Sequence, residues 1–477
     1  MEDPMINPAV TTTEAASVTA RGDWLETWKP EDPKFWAETG SRVAWRTLVL
    51  TTISLVLSFS TWFLFSALAV NLTGIGVKFA DDPKDNDRLL FWLIAMPGLA
   101  GGTLRVIHTF MIPLFGTRKV ITVSTLLKLI PCVGIAWAVM TPGTPYWMYL
   151  VLALLLGMGG GDFSSYMPST SLFFPRRLHG TALGIQAGIG NFGVSLTQFV
   201  TPWIIGLAAF SAVTGEPQLL KTATGEQTVW LQNAALWYVP LLIIMGGVCW
   251  MQLRSVPIKA SFREQLDIFR DKHTWFCTIT YIMTFGSFSG FAAAFPMLIR
   301  SLYGGFGPDS PKPLAYAFLG PLIGSTVRVL FGFVADKTGG AILTQLAGIG
   351  MIGICLAMGV TGVLAPTSLE TFSLFVWLML GLFFFSGVGN ASTFRQYPLI
   401  FAHNPRQGAQ VLGWTGAVAA YGPFLFSAAI GETLAWTGRD GGTRSALPFF
   451  IAAAAFYAFA VAINWYYYSR RGCARPS

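Results

Sequence analysis

A chain of 477 residues that is 53% hydrophobic and only 11% charged, with a mean hydropathy of +0.56, carries more apolar surface than a soluble core can hide and reads as a protein that crosses a bilayer many times. Its formal charge of +8 comes from basic residues that flank apolar runs instead of interleaving with aromatics on a polar face, which argues against nucleic-acid binding. The five cysteines, Cys132, Cys249, Cys277, Cys355 and Cys473, are scattered without ligand spacing, so neither a disulfide nor a metal site is expected.

Residues 1–44 lack the short apolar core and small-residue cleavage site of a signal peptide, so they are expected to form a cytoplasmic tail. Residues 1–20 of it are expected to be disordered, and "DPKFW" to lie at the membrane surface. Twelve apolar runs follow, each of roughly the 20 residues that a helix needs to span the hydrocarbon core. They lie near 45–72, 88–112, 118–140, 145–170, 181–207, 233–254, 273–299, 313–335, 340–364, 371–398, 408–433 and 445–468. Lys and Arg gather in the segments that face the cytoplasm if both termini are inside, which fits an even number of spans. The longest charged stretch between spans, "RSVPIKASFREQLDIFRDK" at 254–272, divides them six and six. The expected fold is therefore an all-α membrane protein, with twelve transmembrane helices in two pseudo-symmetric halves at 45–254 and 273–468. A cytoplasmic linker at 255–272 joins the halves, and a cytoplasmic tail at 469–477 closes the chain.

Internal repetition supports the two halves. "GDFSSYMPSTSLFFPRRLHG" at 161–180 and "GNASTFRQYPLIFAHNPRQG" at 389–408 have equal length, and one offset pairs Gly161 with Gly389, Asp162 with Asn390, Phe173 with Phe401, Gly180 with Gly408 and Gly188 with Gly416. Asn390 also begins an N-x-S sequon, but inside a span, where it has no meaning for glycosylation.

Two arginines interrupt the apolar runs in register. "GFVADKTGG" at 332–340 resembles the loop between the second and third helices of each half in the major facilitator superfamily, and "FGTRK" at 115–119 is a degenerate copy with Pro113 where the acid belongs. Arg328 lies 11 residues before Gly339, and Arg105 lies 11 residues before Gly116. At 1.5 Å per residue each sits roughly 16 Å from the cytoplasmic end, near the midplane. A central arginine costs about 2.5–3.5 kcal/mol on insertion scales, so a symmetric pair implies either buried partners or a function. Transporters with repeated halves bind substrate at that depth, between the halves. Two guanidinium forks favour a small oxyanion.

In the fifth span, "GTALGIQAGIGNFGVSLTQ" puts Gly180, Gly184 and Gly188 on one face, which permits close helix approach. "GIGNFG" at 188–193 and "GIGMIG" at 348–353 satisfy G-x-G-x-x-G, but no strand precedes either, so no dinucleotide site or other cofactor is expected.

The long stretch "GGGDFSSYMPSTSLFFPRRLHGTALGIQAGIGNFGVSLTQFVTPWIIG" resembles the first nitrate signature of the NarK-type nitrate/nitrite porters within the major facilitator superfamily, and "GAQVLGWTGAVAAYGPF" resembles the second. "WKPEDPKFW", "TLRVIHTFMIPLFG", "YIMTFGSFSGFAAAFPML" and "YAFLGPLIGSTVRVLFGFVADKTGG" extend the likeness over nearly the whole chain beyond residue 25. The resemblance implies that Arg105 and Arg328 clamp the anion. Tyr281 and Asn191 are implied as hydrogen-bonding groups, and Phe59, Phe163 and Phe285 as rings that close around a flat ion. Gly184, Gly188, Gly413 and Gly416, with Asp336 and Gly339, are expected to serve the conformational change.

The sequence departs from that pattern at Asp162, where asparagine is expected, and at Lys128, in a usually apolar position of the third span. Asp162 and Lys128 either neutralise each other or one of them titrates during transport, and His108, one helical turn from Arg105, is either satisfied by a neighbouring helix or a proton relay. Arg395 is expected either at the cytoplasmic gate or in a contact with a lipid headgroup or loop. The expected function is nitrate/nitrite exchange by a monomer of the bacterial cytoplasmic membrane, with proton-coupled nitrate symport as the alternative. No Walker loop, H-E-x-x-H or nucleophile elbow suggests an enzyme, and no soluble output domain suggests a sensor.

Overall fold

The computed structural model describes residues 20–208, 211, 215–222, 225–257 and 267–477. The segment expected to be disordered thus lies outside the described residues up to position 19, as do positions 258–266 of the linker.

Twelve helices form the bundle among the described residues: α1 (Pro33–Ile75), α2 (Pro83–Phe115), α3 (Thr117–Met140), α4 (Tyr146–Phe173), α5 (His179–Ile204), α6 (Asn233–Gln252), α7 (Lys272–Tyr303), α8 (Gly307–Thr338), α9 (Gly340–Val360), α10 (Leu369–Ile400), α11 (Gln407–Thr437) and α12 (Leu447–Ser469). Eleven are apolar enough to be recognised as spans by hydropathy, and α5 is not. Its 26 residues are ample for the crossing, but Gln186, Asn191, Thr197 and Gln198 are buried inside the bundle instead of facing lipid. That burial lowers the mean hydropathy without exposing a polar group to hydrocarbon.

The first helix starts at Pro33, inside the stretch expected to be tail. Asp32 is its N-cap, accepting hydrogen bonds from the backbone N–H groups of Lys34 (2.9 Å) and Phe35 (3.4 Å), with proline in the first turn where no N–H is needed. Ahead of it, β1 (Ala20–Arg21) and β2 (Trp24–Leu25) pair antiparallel. Leu25 N–H donates to the Ser255 carbonyl at 2.9 Å and Ser255 N–H to the Asp23 carbonyl at 2.8 Å, which ties this segment to the start of the linker. The C-terminus lies on the same face as the first described residues, since Ala341 N–H at the start of α9 donates to the Ser477 carbonyl. That face is called the terminal face below. On the opposite face, β3 (Gln218–Thr222) and β4 (Gly225–Val229) pair antiparallel between α5 and α6, a hairpin that hydropathy did not indicate.

Two seams join the halves, α2 against α11 and α5 against α8. Glycine decides how closely they meet. A Cβ at Gly102 on α2 would lie 2.6 Å from the Tyr421 ring, whereas nothing lies within 4 Å of a Cβ at Gly184 on α5, Gly332 on α8 or Gly413 on α11. Gly102 lies on the side of the opposite face and the other three lie toward the terminal face. The seams are tight at one end and spread at the other.

Ion pairs reinforce the tight end. Asp87 at the start of α2 meets Arg444 Nη1 at 2.9 Å and Arg300 Nη2 at 3.7 Å, and Glu432 accepts from Trp92 Nε1 at 2.7 Å. Lys84 Nζ donates to the Gly438 carbonyl. The bundle is closed on the opposite face.

Candidate functional site

Arg105 on α2 and Arg328 on α8 are 0% and 6% exposed. Arg105 Nε donates to the Gly160 carbonyl of α4 at 2.8 Å, and its Nη1 to the Gly416 carbonyl of α11 at 2.5 Å. One guanidinium therefore links both halves. Arg105 Nη2 and both terminal nitrogens of Arg328 find no hydrogen-bond partner among the described residues, and no carboxylate there pairs with either arginine.

Aromatic rings enclose the two charges. The Arg105 Cζ lies 4.7 Å from the centroid of Phe163, 5.6 Å from Trp62 and 5.3 Å from Phe285. The Arg328 Cζ lies 5.9 Å from the same Phe285 ring and 4.7 Å from Phe394. Phe59 stacks on Phe163 at 6.2 Å, and Tyr281 on Phe285 at 5.5 Å with planes 10° apart. Tyr281 lies within interaction range of both arginines. Cation–π contacts of this kind contribute about 0.5–2 kcal/mol each. They hold a guanidinium in place without consuming its N–H donors.

Asn191 is fully buried with both amide atoms unpaired. It shares a face of α5 with Gly188, which packs on Val329, and Ser195, whose Oγ donates to the Phe318 carbonyl at 2.8 Å. That face meets α8 beside Arg328.

Sequence reasoning missed four members of this constellation. Trp62 and Phe394 are the additional rings. Ser325, one turn from Arg328, and Asn390 on α10 are buried with side-chain polar atoms that are likewise unpaired. Asn390 lies between Gly387, which meets the Gly324 backbone of α8, and Phe394, which covers Arg328. The internal repeat had pointed to Asn390 as the mate of Asp162, but no spacing rule marked it as a site residue.

Buried polar groups without partners cost about 1–3 kcal/mol apiece. Here they come from α2, α5, α8 and α10 and converge with two permanent cations. Chemically, such a set of donors in an aromatic box suits a small flat anion rich in acceptor oxygens.

The sequence profile of the Major Facilitator Superfamily matches residues 50–427. Over 458 residues the chain is 56% identical to the probable nitrate/nitrite antiporter NarK2 of Thermus thermophilus, spanning 96% of this chain and 99% of that one. The chain belongs to the NarK-type porters of the major facilitator superfamily. It is also 37% identical to the nitrate/nitrite transporter NarU of Escherichia coli, over 94% of this chain and 96% of the relative. Among solved structures, a bacterial homologue of the lysosomal transporter Spinster in an inward-facing, occupied conformation superposes with a TM-score of 0.64 at 13% identity, covering 88% of this chain and 95% of that one. The fold is that of a transporter, and the protein is not an enzyme.

Beside its arginine pair this NarK-type porter buries a second charged cluster. Lys128 Nζ lies 2.6 Å from Asp162, both side chains are 0% exposed, and Ser58 Oγ donates to the same carboxylate at 2.5 Å. Ser124 Oγ donates to its other oxygen, and Lys128 Nζ also donates to the Ser124 carbonyl at 2.8 Å. His108 Nδ1 lies 3.0 Å from Ser165 Oγ and 3.8 Å from Asp162. Asp162 occupies the break in α4, where one helical stretch ends at Gly161 and the next begins at Phe163. The carboxylate is thus turned into the N-terminal half, away from service as a counterion to Arg105.

At the terminal face, Asp336 near the end of α8 lies 3.4 Å from Arg395 on α10. Gly339 follows with φ of +84°, a positive-φ backbone conformation that glycine adopts without strain. Gly184 and Gly413 line the spread end of the seams, while Gly188 and Gly416 sit at the level of the arginines, the carbonyl of the latter accepting from Arg105 Nη1.

Proposed function

We propose that the chain carries nitrate and nitrite across the bacterial cytoplasmic membrane as a monomer, exchanging one anion for the other with both termini cytoplasmic. The anion binds between Arg105 and Arg328, sandwiched by Phe285, Phe163 and Phe59, with Tyr281 and Asn191 directing its oxygens. The observation that carries this reading is the pair of buried guanidinium groups, one from each half, with unpaired N–H donors and no acidic partner among the described residues.

Exchange follows from electrostatics. Moving a monovalent anion inward against an interior-negative potential costs about 2.3 kcal/mol per 100 mV. One-for-one exchange of monovalent anions moves no net charge. Two permanent cations in one box also oppose reorientation of the unloaded site, because closing the halves around them brings like charges together without a neutralising ion.

Proton-coupled symport through Asp162, Lys128 or His108 is the competing reading. The direct Lys128–Asp162 ion pair favours exchange, since neutralising either partner leaves the other charged and buried, a penalty of about 3–5 kcal/mol.

Counterflow in proteoliposomes tests the reading. Labelled nitrate should enter vesicles loaded with nitrite or nitrate without a pH gradient. Uptake driven by external acid into vesicles with no internal anion would reject exchange in favour of symport.

A further inference from the structure

Arg300 at the end of α7 and Arg444 before α12 both belong to the C-terminal half, yet their shared carboxylate, Asp87, belongs to the N-terminal half. Asp87 also accepts from Ser301 Oγ at 3.3 Å. Two cations thus share one counterion across the closed seam. Arg444 Nε is buried without a partner among the described residues. The two arginines, with Ser301, Gly305 and Thr443, line a cavity of about 320 Å³ on the opposite face.

We propose that Arg300 and Arg444 form a second anion site, which captures a small oxyanion from the opposite face, and that Asp87 is its built-in competitor. The inference rests on the anion-exchange reading above. When the halves part on that face, Asp87 leaves with α2. The two guanidinium groups, held on α7 and the loop before α12, then lose their carboxylate together. Asp87 sits between the two arginines, one oxygen 2.9 Å from Arg444 Nη1 and the other 3.7 Å from Arg300 Nη2, and a nitrate or nitrite ion offers the same planar pair of oxygens, so the incoming anion takes its place between them. Closure reverses the exchange: Asp87 returns and displaces the anion from the mouth. The site raises the local anion concentration only while the mouth is open.

This role separates from that of a simple latch because Asp87→Asn and Arg444→Gln break the same ion pair. A latch predicts the same sign for both, since each frees the face to open and lowers the apparent KM on that side. The capture site predicts opposite signs. The experiment is nitrate exchange in right-side-out and everted membrane vesicles containing the full chain, with nitrate varied on one side. The expected result is a KM on the opposite face raised about tenfold in Arg444→Gln, unchanged or lowered in Asp87→Asn, and a terminal-face KM unchanged in both. KM shifts of the same sign in the two variants, or a rise on both faces, overturn the capture site. Failure of the wild-type chain to exchange nitrate at all would instead defeat the functional reading beneath it.

Discussion

Arg105 and Arg328 share one aromatic ring: Phe285 lies 5.3 Å from the first guanidinium carbon and 5.9 Å from the second. The two arginines reach that ring from different halves, so its surroundings are where the halves communicate. In the proposed binding mode one monovalent anion bridges the two forks, offsets one of the two positive charges and ties the halves together at the midplane.

Lysine cannot replace either arginine in this arrangement. An ammonium keeps the charge but loses the planar fork and its fit against the flanking rings. Arg105→Lys also loses the simultaneous bonds to Gly160 and Gly416. Each single replacement should weaken nitrate binding at least about 100-fold, equivalent to about 2.7 kcal/mol, with the folded protein still monodisperse. Calorimetric titration of the purified variants checks this, and near-normal affinity in both would refute the clamp.

Asn390 should trade stability against binding. Its amide is fully buried and unpaired, so Asn390→Leu removes a group whose burial costs about 1–3 kcal/mol. The variant should melt higher than wild type in the absence of anion and bind nitrate more weakly. Thermal unfolding with and without nitrate reads both effects, and a lower melting temperature without anion would contradict the assignment of Asn390 to the site.

The Asp162 cluster yields a double-mutant prediction. Asp162→Asn or Lys128→Met alone leaves an uncompensated buried charge and should destabilise by about 3–5 kcal/mol. The double variant should recover most of that loss, because residues in direct contact couple. It should also retain nitrate/nitrite counterflow. A stable double variant that binds nitrate but cannot exchange it would show that these charges serve transport itself.

Glycines at the spread end of the seams should be needed for closure and dispensable for binding. Nothing lies within 4 Å of a Cβ at Gly413, so a side chain can leave the helix there in the conformation described here, and Gly413→Leu tests closure. Bringing α2 and α11 together at the terminal face would then trap the new side chain. The variant should bind nitrate with wild-type affinity and show little counterflow, and normal counterflow would mean that α11 does not approach α2 there.

Composition and periodicity made most of the bundle legible, because bilayer thickness imposes one length on every span. The exceptions have physical causes. In α5, Gln186, Asn191 and Gln198 face protein, so its mean hydropathy falls below that of the other spans, although the apolar run at 181–207 still marks it. The start of α1 at Pro33 was hidden because its first turns are polar, although Asp32–Pro33 is a cap signal in plain sight. Arg105 and Arg328 stand out because a charge inside an apolar run is costly wherever it occurs. Asn390, Ser325 and Phe394 do not, since amides, hydroxyls and rings are common in spans and only tertiary contacts reveal which ones lack partners. The Asp87–Arg444 pair joins residues from opposite halves, a relationship that no local pattern encodes.

The most direct test of the central claim is a high-resolution structure of the protein with saturating nitrate. The account predicts flat three-lobed density between Arg105 and Arg328, within hydrogen-bond reach of Arg105 Nη2 and both terminal nitrogens of Arg328. Nitrate bound elsewhere, with either guanidinium turned instead onto a carboxylate, would contradict it.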